Sequence, residues 1–324
     1  MRSSVRSLRA TMDTMNTLTT SELVVAGEAL VDLVISPDGA VEAVLGGAPY
    51  NTARAASRLG ASVSFLGTLS NDRFGSMLAK QLVDDGVALL ADRTERPTTL
   101  AAAELDEDGA ASYRFYIAGT SAPHLDPASF GSTSSRVFFT GGLGLVLEPM
   151  ATTLVNLVRS STDETLVMID VNCRPKIVDD RDAYLSHVDA VLERADIVKV
   201  SDDDLAYLWP GLDSLEAAEL LLAKGPAGVL VTAGADTTSI LVAGGRVDVP
   251  VPPLSAPLVD TIGAGDTFGG GFLSWWLSAG LGRTDVTRSN LERAVAAAHA
   301  AAAVVVTRRG ANPPFRHELA ADWS

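Results

Sequence analysis

The stretch from residue 136 to 234 opens with RVFFTGG (136–142) and returns three times to the same texture: TLVMIDVN (165–172), ADIVKVS (195–201) and AGVLVTAG (227–234). Each run is short, apolar and rich in β-branched residues, and longer stretches of helical pattern separate them. Strands that alternate with helices predict a parallel sheet covered on both faces. The pattern extends upstream. ELVVAGEALVDLVIS (22–36) reads as a buried first strand broken by Gly27. A helix follows with Pro49 near its start and Gly60 at its end, then a strand in SVSFLGTLS (62–70) and a helix in DRFGSMLAKQLVDDG (72–86).

Two segments differ. LVISPDGAVEAVL (33–45) and TTLAAAELDEDGAASYRFYIAG (98–119) each carry an Asp-Gly turn between alternating stretches, which is a hairpin signal. The expected architecture is therefore α/β, a doubly wound, mostly parallel sheet flanked by helices, with a small antiparallel β lid from about 32–45 and 98–119. One domain is expected over residues 22–324. Residues 1–21 are rich in Arg, Ser and Thr without an apolar core, so they read as an extension and not as a secretory signal. A start at Met12 or Met15 fits them equally well.

Composition narrows the function. The net charge is −15, which argues against nucleic acid or an anionic membrane as partner. No apolar run reaches the length of a membrane span. The single cysteine, Cys173, excludes a disulfide framework and a cysteine-based zinc site, and the natural expectation is a cytoplasmic protein. There are four lysines in all: Lys80, Lys176, Lys199 and Lys224. Phosphate binding would then fall to backbone N–H groups, a metal and a few arginines.

The chemistry concentrates in DTIGAGDTFGGGF (260–272), which leads into the apolar LSWWL. Gly263 and Gly265 let backbone N–H groups turn toward one point at a helix N-terminus, where amides and helix dipole both favour an anion. Asp266 is out of place beside a phosphate unless a hydroxyl lies between them. It reads either as the base that deprotonates such a hydroxyl or as a helix cap. No Gly-Lys pair completes a Walker A loop, and no G-x-G-x-x-G follows the first strand. In GGAPYNTA (46–53), Gly46 and Gly47 allow a ligand close to the backbone, and Asn51 offers donor and acceptor to a polyol. Asp32 can accept from two neighbouring hydroxyls.

LGGAPYNTARAASRLG (45–60) and DTIGAGDTFGGGF resemble the two signatures of the PfkB, or ribokinase-like, carbohydrate kinases. DVNCRP (170–175), DIVKVSDDDLAYL (196–208), VTAG (231–234) and AHAAAAVVVTRRGANPPF (298–315) follow in the family's order. The resemblance implies ATP-dependent phosphorylation of a sugar hydroxyl. Asp266 would be the base and Gly263, Ala264 and Gly265 the anion hole. Asp32, Gly46, Gly47 and Asn51 match sugar-binding positions, and Arg174 is a candidate for a sugar oxygen or phosphate, or for a surface ion pair. Ser201 and Asp204 stand where the family has N-x-x-E, which arranges Mg2+; an N-cap with an acidic first turn fits the same residues. Asp260, with the carbonyls of Ile262 and Gly310, would face K+. Thr232, Gly234 and His299 would contact ATP, although a packed helix histidine also explains His299. DVNCRP and VKVSDDDLAYLWPG look closest to fructokinase-like members, which makes fructose the expected substrate. Ribose, 2-keto-3-deoxygluconate and nucleosides are the alternatives, with an inactive sugar-binding homologue as the non-enzyme reading. The lid is also a surface through which two copies can pair.

Overall fold

The structure, a computed structural model, describes residues 21–90, 92–106, 111–126, 135–321 and 323. Of the N-terminal extension expected over residues 1–21, only Ser21 is described; it is buried and bonded to Ser64. The Asp108-Gly109 turn of the second hairpin also lies outside the described residues.

The chain begins with β1 (Leu23–Ala26), β2 (Leu30–Ile35) and β3 (Val41–Gly46), then α1 (Ala48–Arg58). The run read as one broken strand is thus two strands in different sheets, divided at Gly27. Next come β4 (Val63–Leu66), β5 (Thr68–Ser70), α2 (Arg73–Asp84), β6 (Ala88–Leu89) and β7 (Asp92–Thr94). Asp72 caps α2 by accepting from the Gly75 N–H. The second hairpin is β8 (Leu100–Leu105) and β9 (Ala111–Tyr116).

The expected alternation then runs through β10 (Val137–Gly141), α3 (Met150–Ser160), β11 (Leu166–Asp170), α4 (Arg181–Leu192), β12 (Ile197–Ser201), α5 (Asp202–Leu208), α6 (Ser214–Ala223) and β13 (Gly228–Ala233). A hairpin of β14 (Thr237–Val242) and β15 (Gly245–Pro250) precedes the long helices α7 (Ala264–Ser278) and α8 (Arg288–Val305).

The main sheet has the order β15-β14-β13-β12-β11-β10-β1-β4-β6. Pairing is parallel from β6 to β13, and β14 and β15 add an antiparallel edge. Apolar cores lie on both faces. One collects Phe139, Phe272, Trp276 and Ala298; the other collects Met150, Leu154, Val191 and Leu221. Burial of this kind, at about 25 cal/mol per Å2 of apolar surface, is the main term holding the layers together. The lid is a separate sheet of order β3-β2-β8-β9, in which two antiparallel hairpins join through parallel pairing of β2 with β8. Strand order reverses at β1, which has β4 on one side and β10 on the other. A crevice at the carboxyl ends of such strands is where doubly wound sheets bind ligands.

Candidate active site

Three segments reach that crevice: the loop into α7, the start of α1 and the ends of β10 to β13. Gly263 is the N-cap of α7 with φ 76°, and a Cβ there would lie 2.6 Å from the Ala311 Cβ. Only glycine fits both the left-handed backbone and the close approach. The segment carrying Ala311 is itself pinned to α1. Arg54 donates to the Ala311 carbonyl at 3.0 Å, and Arg58 donates to Asn312 and Pro313. Both arginines share the buried Asp85.

Asp266 lies in the first turn of α7 and is half-buried. Its carboxylate takes no backbone N–H in the way a cap does. It accepts from Asn51 Nδ2 at 2.9 Å, across 215 residues of sequence. The cap reading therefore falls away. Burial pushes the Asp266 carboxyl up to about 6; the Asn51 hydrogen bond opposes the shift, Asp170 adds to it, and Lys199 and Arg174 oppose it. A carboxylate poised there suits a general base near neutral pH. Asn51 is buried and its Oδ1 has no partner among the described residues. Asn51 thus orients the carboxylate and keeps an acceptor in reserve.

The Ala264 N–H is already bonded to the Thr261 carbonyl at 3.1 Å. Of the amides at the head of α7, those of Gly263, Gly265 and Asp266 carry no such bond among the described residues, so within the expected Gly263–Ala264–Gly265 set only the Ala264 N–H is already engaged. Asp260 fastens the loop from outside, accepting from the Ile262 N–H at 2.9 Å and the Gly310 N–H at 2.8 Å.

Gly47 caps α1 with φ 113°, and a Cβ there would meet the Glu28 carbonyl at 2.6 Å. Glu28 is buried and bridges two loops, accepting from Ala48 N–H and Gly144 N–H, each at 3.1 Å. Burial raises its pKa to about 7, against backbone hydrogen bonding by its own N–H and that of Ala48. Asp32 hangs from the lid strand β2 over Gly46, whose added Cβ would touch Asp32 Oδ2 at 2.6 Å. Burial holds the Asp32 carboxyl up at about 6, with Arg174 pulling the other way. No hydrogen bond or ion pair occupies this carboxylate among the described residues, which leaves it open to hydroxyls.

The exposed Arg174 lies behind β11 and is felt by Glu28, Asp32, Asp170 and Asp266 alike. No ion pair of Arg174 is found among the described residues, and its charge is within reach of the cleft carboxylates. Asn172 beside it has φ 42°, a left-handed backbone at the turn out of the strand. Ser201 and Asp204 form a reciprocal capping box at the start of α5. The Asp204 carboxylate is nearly enclosed, taking the Ser201 N–H at 2.9 Å and the Cys173 N–H at 2.6 Å. It thereby ties α5 to the 170–175 turn. Cys173 is buried and its thiol is pushed up to about 12 by burial, so it is inert.

Thr232 pairs in register with Ser201, and Gly234 follows the end of β13 beside open space. His299 reaches this group only through Thr238, the register partner of Thr232 on β14. The residue is 4% exposed, and its ring tilts against Phe268 and bonds Thr238 through Nε2 at 2.9 Å. Burial lowers its pKa to about 4, so it is a neutral, packed helix histidine.

One pair escaped the reading of the sequence. Lys199 on β12 and Asp170 at the end of β11 are direct neighbours in the sheet register, and Lys199 Nζ meets Asp170 Oδ2 at 2.8 Å. Both side chains are buried. The available signal was a lone lysine inside an apolar strand, an arrangement that demands a partner. Burial works against its charge, yet Asp170, Asp204 and Asp266 hold its pKa above the ordinary lysine value.

Comparison with known proteins agrees with this geometry. The pattern of the family described as pfkB family carbohydrate kinase matches residues 20–318. Fructokinase-1 of Oryza sativa subsp. japonica is 32% identical over 92% of this chain and 96% of its own. Among solved structures, a fructokinase with bound ATP from Xylella fastidiosa superposes with a TM-score of 0.83 at 27% identity, covering 90% of this chain and 94% of that one. An aminoimidazole riboside kinase from Salmonella enterica, complexed with aminoimidazole riboside and an ATP analogue, gives 0.82 at 26%, covering 93% and 99%.

Proposed function

The chain belongs to the pfkB family of carbohydrate kinases, and we propose that within it this protein transfers the γ-phosphoryl group of ATP to a hydroxyl of fructose. The observation that carries the reading is the 2.9 Å contact of Asn51 with Asp266 at the head of a glycine-capped helix. A base, its orienting donor and a row of open amides there meet at one point.

The sugar lies between the lid and the strand ends, with Asp32 and Asn51 accepting from its hydroxyls. The acceptor hydroxyl gives its proton to Asp266. Its oxygen forms the new bond to phosphorus as the bond from phosphorus to the β-phosphate oxygen breaks, and ADP leaves with that electron pair. The open amides of Gly263, Gly265 and Asp266 meet the phosphoryl oxygens, and most of the acceleration comes from positioning and charge stabilisation. The lid keeps water from competing for the phosphoryl group. Thr232 and Gly234 border the nucleotide side. His299, the expected adenine contact, is buried with its ring against Phe268 and Thr238.

No cluster of three ready metal-binding side chains exists among the described residues. Asp204 has one lone pair left on each oxygen after its backbone contacts. It fits Mg2+ held chiefly by phosphates and waters. The ion would offset phosphate charge that amides alone leave uncovered. Asp260 is our candidate to face K+, and K+ stimulation that Asp260→Ala removes would support that assignment.

The likeness to the Salmonella riboside kinase gives a second substrate class to test. Purified full chain is assayed for ADP release with fructose, ribose, 2-keto-3-deoxygluconate and nucleosides, with and without K+. The proposal expects fructose to give the highest kcat/KM. A riboside preferred over fructose would replace it, and no acceptor-dependent ADP release would favour a sugar-binding protein. No helix of the described residues is long and apolar enough to cross a membrane, and a cytoplasmic site of action accompanies this reading. Pairing of two copies through the lid would involve its edge strands β3 and β9, which expose Val41, Tyr113 and Tyr116; sedimentation velocity measures it.

A further inference from the structure

The glycine loop was expected to work without a lysine, yet one stands against it. A Cβ placed on Gly265 would lie 3.5 Å from Lys199 Nζ. That ammonium is buried, and it uses one of its three donors on Asp170 Oδ2 at 2.8 Å. No further hydrogen bond to it exists among the described residues. Asp170 Oδ1 is itself buried without a partner. A pair made only to hold two strands together would be expected to satisfy more of its polar atoms. Two open donors on a fixed cation, beside the glycine whose amide heads α7, are instead an incomplete anion site.

We propose that Lys199 is the built-in cation of the anion loop, held by Asp170, and that its open N–H groups meet an oxygen of the phosphoryl group during transfer. The bonds made and broken are those of the transfer itself: sugar oxygen to phosphorus forms, phosphorus to ADP oxygen breaks, and the proton passes to Asp266. Lys199 remains protonated throughout and contributes only charge and hydrogen bonds.

The groups that face Asp266 are Asn51, Asp170, Lys199, Arg174 and Glu28, so removing Lys199 leaves it with a surplus of negative neighbours. This gives the test a readout that a purely structural pair would not move. The inference rests on the sugar-kinase reading. Wild-type turnover with its best acceptor checks that reading first, and the variants then check only the inference.

Lys199→Met is expected to lower kcat on the order of 100-fold, the scale for losing one charge-stabilising donor. The KM for the sugar should stay nearly unchanged, and the acid limb of the pH profile should move to higher pH. Lys199→Arg should recover part of kcat. Because Lys199→Met strands a buried carboxylate, the double variant Lys199→Met/Asp170→Asn is made as well. It should recover the thermal midpoint without recovering kcat. Recovery of both stability and turnover in the double variant would overturn the proposal. So would a folded Lys199→Met that turns over within a few-fold of wild type with an unmoved acid limb.

Discussion

Replacing Asn51 by alanine should move the acid limb of the pH–activity profile. Asp266 must be ionised to accept a proton, and burial has raised its carboxyl to about 6. A group raised above its ordinary value loses activity as pH falls through the folded pKa, so wild-type kcat/KM should decline below about pH 6. Asn51 restrains that shift by donating to the ionised form at 2.9 Å. A hydrogen bond to a charged group contributes roughly 1.5–3 kcal/mol, and about 1.4 kcal/mol corresponds to one pKa unit. Losing it should place the limb near pH 7 to 8. At pH 7 the variant would then be down roughly two- to tenfold from protonation alone, and raising the pH to 9 should restore most of that factor. A lost sugar contact lowers kcat/KM equally at every pH and so does not mimic the displacement. The assay is initial rate with limiting sugar at one saturating ATP concentration, which makes nucleotide titration common to both proteins. A uniform drop with the limb still near pH 6 would refute the orienting role of Asn51.

Other consequences follow from the same contacts. Asp266→Asn should stabilise the protein. A carboxyl raised from 3.8 to about 6 favours the unfolded state once pH rises above the folded pKa. The variant should therefore gain up to about 3 kcal/mol at pH 8 and progressively less toward pH 4, read from urea midpoints. Arg54→Met should cost toward the lower end of roughly 3–5 kcal/mol, because Arg58 still pairs with Asp85. It should also lower kcat by freeing Ala311 from its place against Gly263, which activity assays on the folded fraction would detect. Asp32→Asn should raise the KM for the sugar about tenfold and leave the KM for ATP unchanged, since one charge-assisted hydrogen bond is lost.

The alternation of apolar runs between residues 136 and 234 was enough to read the parallel sheet, because strands buried on both faces must be apolar throughout. The two Asp-Gly turns likewise marked the lid. Neighbour relations were not legible. Leu23–Ala26 and Leu30–Ile35 share one apolar texture, and only the turn at Gly27 sends them to separate sheets. Asp170 and Lys199 sit in separate strands whose adjacency depends on sheet order, so their pairing could not be deduced from either. Asn51 offered donor and acceptor in any reading, but its bond to Asp266 spans most of the chain. Motif position drew attention to His299, whereas packing decided its state: the residue is buried, with its ring against Phe268 and bonded to Thr238.

The base assignment is tested most directly by comparing wild type with Asp266→Asn under matched binding. Sugar and ATP affinities are measured by calorimetry, and transfer of labelled γ-phosphate to the sugar is followed in a single turnover. The account predicts binding within a few-fold of wild type and transfer slower by about 100- to 10,000-fold, the range for loss of a positioned general base. Near-normal transfer in Asp266→Asn would contradict it.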